Sequence, residues 1–185
     1  MKTKFIIASL FLFCLISCKD EKTEQSKEPA VQAVSESNIF KVTLDVSLLK
    51  DDNIHLYYTV DGSILFTEEN SLWSEIKGSE GSQKIEFALP ENVIPTAIRL
   101  DLGYGKNPDQ SDVELKGFKM SFNDAIIEAQ GPQVFDYFQP ALDTSKRIEG
   151  TNKLAKLDKT QVSGPKLYPN DNLLSKIKQI TTGIK

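Results

Sequence analysis

From Phe40 the chain alternates apolar and polar residues with a period of two. Phe40, Val42, Leu44, Val46 and Leu48 fall on one side of an extended strand, and Lys41, Thr43, Asp45 and Ser47 on the other. Turn residues in "LKDDN" follow, and the period resumes in "IHLYYTV", with Ile54, Leu56, Tyr58 and Val60 inward and His55, Tyr57 and Thr59 outward. Asp61-Gly62 closes that strand. The stretch "SILFTEENSLWSEI" is less regular and predicts short strands over residues 64–66 and 72–76, followed by a loop at "GSEGS". Alternation returns through Ile85, Phe87 and Leu89, and again through Ile98, Leu100 and Leu102. In "VELKGFKMSF" the apolar phase runs through Val113 and Leu115, then restarts out of phase at Phe118, Met120 and Phe122. A slip at Lys116-Gly117 predicts a β-bulge, with glycine easing the kink.

After the turn at Asn123-Asp124, a strand is expected near residues 126–129, and residues 131–169 alternate only weakly around "KLAKL". The period then changes. Leu173, Leu174, Ile177 and Ile180 form a helical stripe, with Asn170 or Asp171 as cap before it and Gly183 after it. Many short strands with one late helix predict a mainly β fold, a β-sandwich of jelly-roll type carrying a C-terminal helix. The sandwich is expected over residues 39–169 and the helix and tail over 170–185.

The amino end follows another pattern. Lys2 and Lys4 precede Phe5 to Ser17, 13 residues without a charge. That is shorter than the roughly 20 apolar residues a membrane-spanning helix needs, and it has the layout of a secretory signal. Leu15, Ile16, Ser17 and Cys18 resemble the lipobox of bacterial lipoproteins. The resemblance implies cleavage after residue 17, loss of Cys14 with the signal, and lipid on Cys18, whose acyl chains would hold the protein to a membrane. The C-x3-C spacing within an apolar core fits neither a redox pair nor a structural disulfide. Lys19 is not the Asp that resembles an inner-membrane retention signal, so the outer membrane is expected, facing the periplasm or, if "KDE" acts like a surface-export signal, the cell exterior. Residues 18–38, rich in Lys, Glu, Gln and Ser, read as a disordered tether.

Charge and composition narrow the chemistry. Of 22 basic and 26 acidic residues, removal of Lys2 and Lys4 with the signal leaves 20 and 26, a net charge of −6. No basic cluster is available to neutralise phosphates, which excludes nucleic acid as a partner. His55 is the only histidine and reads as an exposed strand residue. With no cysteine beyond Cys18 and no G-x-S-x-G, neither a Ser-His-Asp triad nor a zinc site can be assembled. Carboxylates at Asp51-Asp52, Glu68-Glu69 and Asp109/Asp112 are plentiful, but no pair stands out as a glycosidase dyad. In the loop "DLGYGKNPDQSD", Asp101, Asn107, Asp109 and Asp112 could offer oxygens to calcium, although the spacing matches no EF-hand. Otherwise no cofactor is expected. Tyr57, outward by strand phase, Trp73, in a polar-flanked stretch, and Tyr104, in that loop, are candidates to stack on a sugar ring. A partly buried Trp73 is the competing expectation.

The order "FKVTLDVS", "IHLYYTVDG", "IEFALPENVIPTAIRLDLG", "VELKGFKMSF" resembles the jelly-roll accessory domains of bacterial sugar-handling proteins, with Leu89-Pro90, Arg99, Asp101 and Gly117 at matching positions. The resemblance spans residues 39–169 and implies a fold more than a ligand. The resulting expectation is a non-enzymatic, lipid-anchored envelope protein whose sandwich binds glycan. A structural lipoprotein docking on a larger envelope complex, with its C-terminal helix stripe as the contact, is the alternative. A carboxylate-dependent glycoside hydrolase stands behind both. For the anchor, Cys18→Ala is expected to abolish radiolabelled-lipid incorporation and to release the protein from the membrane fraction; a variant that keeps both contradicts the lipobox reading.

Overall fold

A computed structural model describes residues 38–105, 110 and 112–183. The expected signal peptide, Cys18 and the tether up to residue 37 lie outside the described residues, as do Asn107, Asp109 and residues 184–185.

Eleven strands and one helix follow in order among the described residues: β1 (Lys41–Leu48), β2 (Asp52–Thr59), β3 (Ser71–Ile76), β4 (Ser79–Ala88), β5 (Ala97–Leu102), β6 (Val113–Phe122), β7 (Ala125–Gln130), β8 (Phe138–Pro140), β9 (Ser145–Arg147), β10 (Lys153–Lys156), β11 (Lys166–Pro169) and α1 (Asp171–Thr182). They form two antiparallel sheets. One runs β4-β1-β6-β10-β9, with β7 also paired to β6; the other runs β3-β2-β5-β11-β8. The pairings nest: β1 lies on β6 while β2 lies on β5, and the β3–β4 ribbon flanks β2 and β1 on their other edges. The two antiparallel sheets, packed around one core, make a β-sandwich.

The period-two pattern explains the core. Phe40, Val42, Leu44 and Val46 are fully buried, and across the sandwich they meet Ile54, Leu56, Ile98, Leu100 and Leu102 in one cluster. The bulge falls where the phase slips. Asp45 pairs with Gly117 while Val46 pairs with Leu115, which leaves Lys116 as the extra residue. A Cβ at Gly117 would come within 2.9 Å of the Ala129 carbonyl oxygen, so glycine also lets β7 approach.

Three local expectations are corrected. Residues 64–66 are not a strand; they belong to an irregular segment leading to a 3-10 turn at Glu68–Asn70. "GSEGS" is not a loop after Gly78, because Ser79 begins β4, an edge strand whose polar first half lies largely exposed. Val60, expected inward, is 53% exposed where the chain leaves β2 for the Asp61-Gly62 bend.

The helix matches its sequence signals. The Asn170 side chain accepts hydrogen bonds from the backbone N–H groups of Asn172 and Leu173, both at 3.1 Å, and Gly183 ends the helix in the left-handed conformation. Leu173 and Ile177 are fully buried in the sandwich core, and Ile180 packs against it partly buried. Two of the four stripe residues are therefore core residues, and Leu174 and Ile180 are partly buried. Ile177→Ala is expected to destabilise the protein by about 2–5 kcal/mol in urea unfolding, the usual cost of emptying a buried aliphatic site; a change under about 0.5 kcal/mol would mean that the helix does not belong to the cooperative fold.

Candidate functional site

The outer face of the five-stranded sheet gathers aromatic and ionisable side chains from several strands. In register, Trp73 on β3 lies opposite His55 on β2, His55 opposite Asp101 on β5, and Asp101 opposite Lys166 on β11. The neighbouring row holds Ser71, Tyr57 and Arg99. Directly opposed side chains on one face lie close enough to touch, so strand register alone brings these groups together.

His55 is the hinge of the cluster. Its ring stacks on Trp73 with centroids 3.6 Å apart and planes 23° from parallel, and it contacts Tyr57 at 3.8 Å. It is 2% exposed, not the surface histidine that its outward phase predicts. Burial comes from what lies over the sheet: Trp73 on one side and, on the other, the segment between β2 and β3. Glu68 from that segment accepts the Tyr57 hydroxyl proton through Oε1 at 2.5 Å, and its Oε2 lies 3.6 Å from His55 Nε2, which makes no hydrogen bond.

Arg99 fills the second row. Its Nε and Nη2 donate to the two carboxylate oxygens of Asp101 at 2.8 and 3.0 Å, a fork made possible because residues two apart on a strand share a face. The guanidinium carbon sits 3.8 Å from the Tyr57 ring centroid, with Phe66 at 5.3 Å and Tyr168 at 5.5 Å. Tyr168 also borders a cavity of about 600 Å³ lined by Gln139, Pro140, Ala141, Leu142 and Asp143.

Tyr104 comes from the loop after β5. The buried Asp52 carboxylate accepts the Tyr104 backbone N–H at 2.8 Å, and Tyr104 bridges to Ser163. Two glycines permit this approach. Gly103 has φ +119°, and a Cβ on Gly164 would stand 2.1 Å from the Leu102 carbonyl oxygen. So held, the Tyr104 ring meets Trp73 at 5.5 Å and 74°, edge to face.

All three aromatic candidates from the sequence, Tyr57, Trp73 and Tyr104, thus meet in one cluster. Tyr57 is buried within it, whereas Trp73 and Tyr104 stay 48% and 53% exposed. Arg99, Asp101, Glu68, Phe66 and Tyr168 complete the cluster and were not site candidates, Asp101 as a calcium ligand excepted. The available signal was Arg-x-Asp on the outward face of a strand, which places an ion pair where solvent is expected. Both Asp101 carboxylate oxygens accept from Arg99, and Asn107 and Asp109, the other loop candidates with Asp112, lie outside the described residues. Among the described residues no three His, Cys, Asp or Glu side chains are grouped to hold a metal ion.

The chain was compared with protein-family models, curated proteins and solved structures, and none matches.

Burial sets the electrostatics. It lowers the His55 pKa from 6.5 to about 4, with Glu68 opposing and Arg99 adding to the shift, so the imidazole is neutral at pH 7. Burial, and then the bond to Glu68, raises the Tyr57 pKa, and burial raises that of Asp101 against the pull of Arg99. Because the His55 pKa is lower in the folded chain than in the unfolded one, the unfolded state takes up its proton first as pH falls. Stability is therefore lost as pH falls from 6.5 to about 4, by about 3 kcal/mol in all. The imidazole NMR signal of the single histidine is expected to titrate near pH 4. In His55→Phe the stability loss across that window should shrink by about the same 3 kcal/mol; titration of His55 near 6.5 contradicts the buried site.

Proposed function

We propose that this is a lipid-anchored protein of the bacterial outer membrane whose β-sandwich binds glycan without catalysis, on the outer face of the five-stranded sheet. The observation that carries the reading is the Trp73–Tyr104 pair. One face of Trp73 stacks on His55, the residue stays 48% exposed, and Tyr104 stands half-exposed beside it at 74°. A rigid, supported aromatic face suits the apolar face of a pyranose ring, since little side-chain freedom is lost on contact.

Support for a non-catalytic role comes from the same cluster. Glycoside hydrolysis asks for two carboxyl groups facing each other across the sugar. Here Glu68 accepts from Tyr57 and Asp101 is clasped by Arg99. The glycan reading is favoured over docking through the C-terminal stripe by the burial of Leu173 and Ile177 in the protein's own core. Membrane attachment through Cys18 stands on the lipobox resemblance.

A glycan array probed with the detergent-solubilised protein tests the reading. Binding to at least one saccharide class is expected, and Trp73→Ala should weaken it at least tenfold, about 1.4 kcal/mol. A folded protein that binds no saccharide, or binds equally well without Trp73, rules the proposal out.

A further inference from the structure

The Trp73–Tyr104 corner has a charge preference as well as a shape. Trp73 offers the π face with the strongest attraction for cations, and Tyr104, nearly perpendicular to it, adds a second aromatic wall. The carboxylate of Glu68, 70% exposed, lies 3.6 Å from the histidine on which Trp73 rests. Asp52 holds the Tyr104 backbone from below. Among the described residues, Arg99 is faced by Asp101 through two hydrogen bonds, and Lys77, just past β3, by Asp51 at 2.8 Å. The corner is thus aromatic surface with the exposed Glu68 carboxylate close by.

From this geometry we infer that the corner selects an organic ammonium group, presented as the free amine of an amino sugar, over neutral and anionic saccharides. The inference rests on the glycan reading above and narrows its ligand class. A protonated amine over Trp73 would gain both the π attraction and the field of Glu68, while a carboxylate or sulfate there would meet repulsion from both. The neutral state of His55 at pH 7 matters here, because an imidazolium stacked under Trp73 would set a like charge behind the bound ammonium.

Trp73 is the chain's single tryptophan, so intrinsic fluorescence of the detergent-solubilised full-length protein reports on the corner directly. The probes are a β-1,4-linked glucosamine oligomer, its N-acetylated counterpart, a glucose oligomer of the same linkage and length, and tetramethylammonium chloride against a sodium chloride control. The glucosamine oligomer is expected to bind about fivefold or more tightly than the two neutral oligomers, the factor that goes with a cation–π contact of about 1 kcal/mol. Tetramethylammonium should compete with it beyond the effect of sodium chloride. Glu68→Gln keeps an acceptor for the Tyr57 hydroxyl and removes the charge, so the ratio of glucosamine-oligomer to glucose-oligomer affinity should fall toward one; an unchanged ratio contradicts the inference. Equal binding of all three oligomers overturns the ammonium inference and leaves the glycan reading standing. A response to tetramethylammonium with none to any oligomer overturns the glycan reading and the amino-sugar inference with it. No fluorescence response to any probe overturns both.

Discussion

β2 is buried on both faces, and the rest of the molecule answers to that constraint. Its inward side, Ile54, Leu56 and Tyr58, sits in the sandwich core as strand periodicity requires. Its outward side carries His55, Tyr57 and Thr59, all buried as well. Polar groups taken out of water need partners, because an unmet hydroxyl or charge costs kilocalories. Tyr57 finds Glu68 and the Arg99 guanidinium, and Thr59 finds the Ser63 carbonyl and Thr96. Only His55 Nε2 lacks a hydrogen bond, and a neutral imidazole tolerates that where an imidazolium would not.

Partners for that face come from segments distant in the chain. The irregular stretch before β3 supplies Phe66 and Glu68, β5 supplies Arg99 and Asp101, and β11 supplies Tyr168. Each is placed by antiparallel register or by the turn at Glu68–Asn70, and together they stiffen the support under Trp73. The exposed aromatic corner therefore stands on a packed, largely satisfied polar layer, and its geometry is set before any ligand arrives.

Much of the scaffold was legible in the residues. β1, β2, β5 and β6 announce themselves by clean alternation, the bulge by its phase slip at Lys116-Gly117, and the helix by its stripe, its Asn170 cap and Gly183. These are local signals, written in side-chain spacing along one strand or helix. The start of β4 was hidden because an edge strand that projects past the covered core has no need to alternate, and "SEGSQ" does not. The apolar residues 64–66 suggested a strand for the converse reason. Phe66 packs on the outer face of the sheet while Ile64 and Leu65 face solvent, and nothing in the spacing separates that arrangement from a short strand. β8 to β11 are three or four residues each, too short for a period to register.

By itself, then, the sequence determined the β-rich class, the two faces of the long strands, the bulge and the capped helix, because each follows from the geometry of one element. It also put Tyr57 and His55 on the outward side of β2. Tertiary structure alone decided that this side would be covered, that the lone histidine would be buried and neutral, and that Trp73 and Tyr104, 31 residues apart in the chain, would meet edge to face at 74°. Those outcomes depend on which strands become neighbours and on which segment crosses the sheet, and no spacing within a single strand records either.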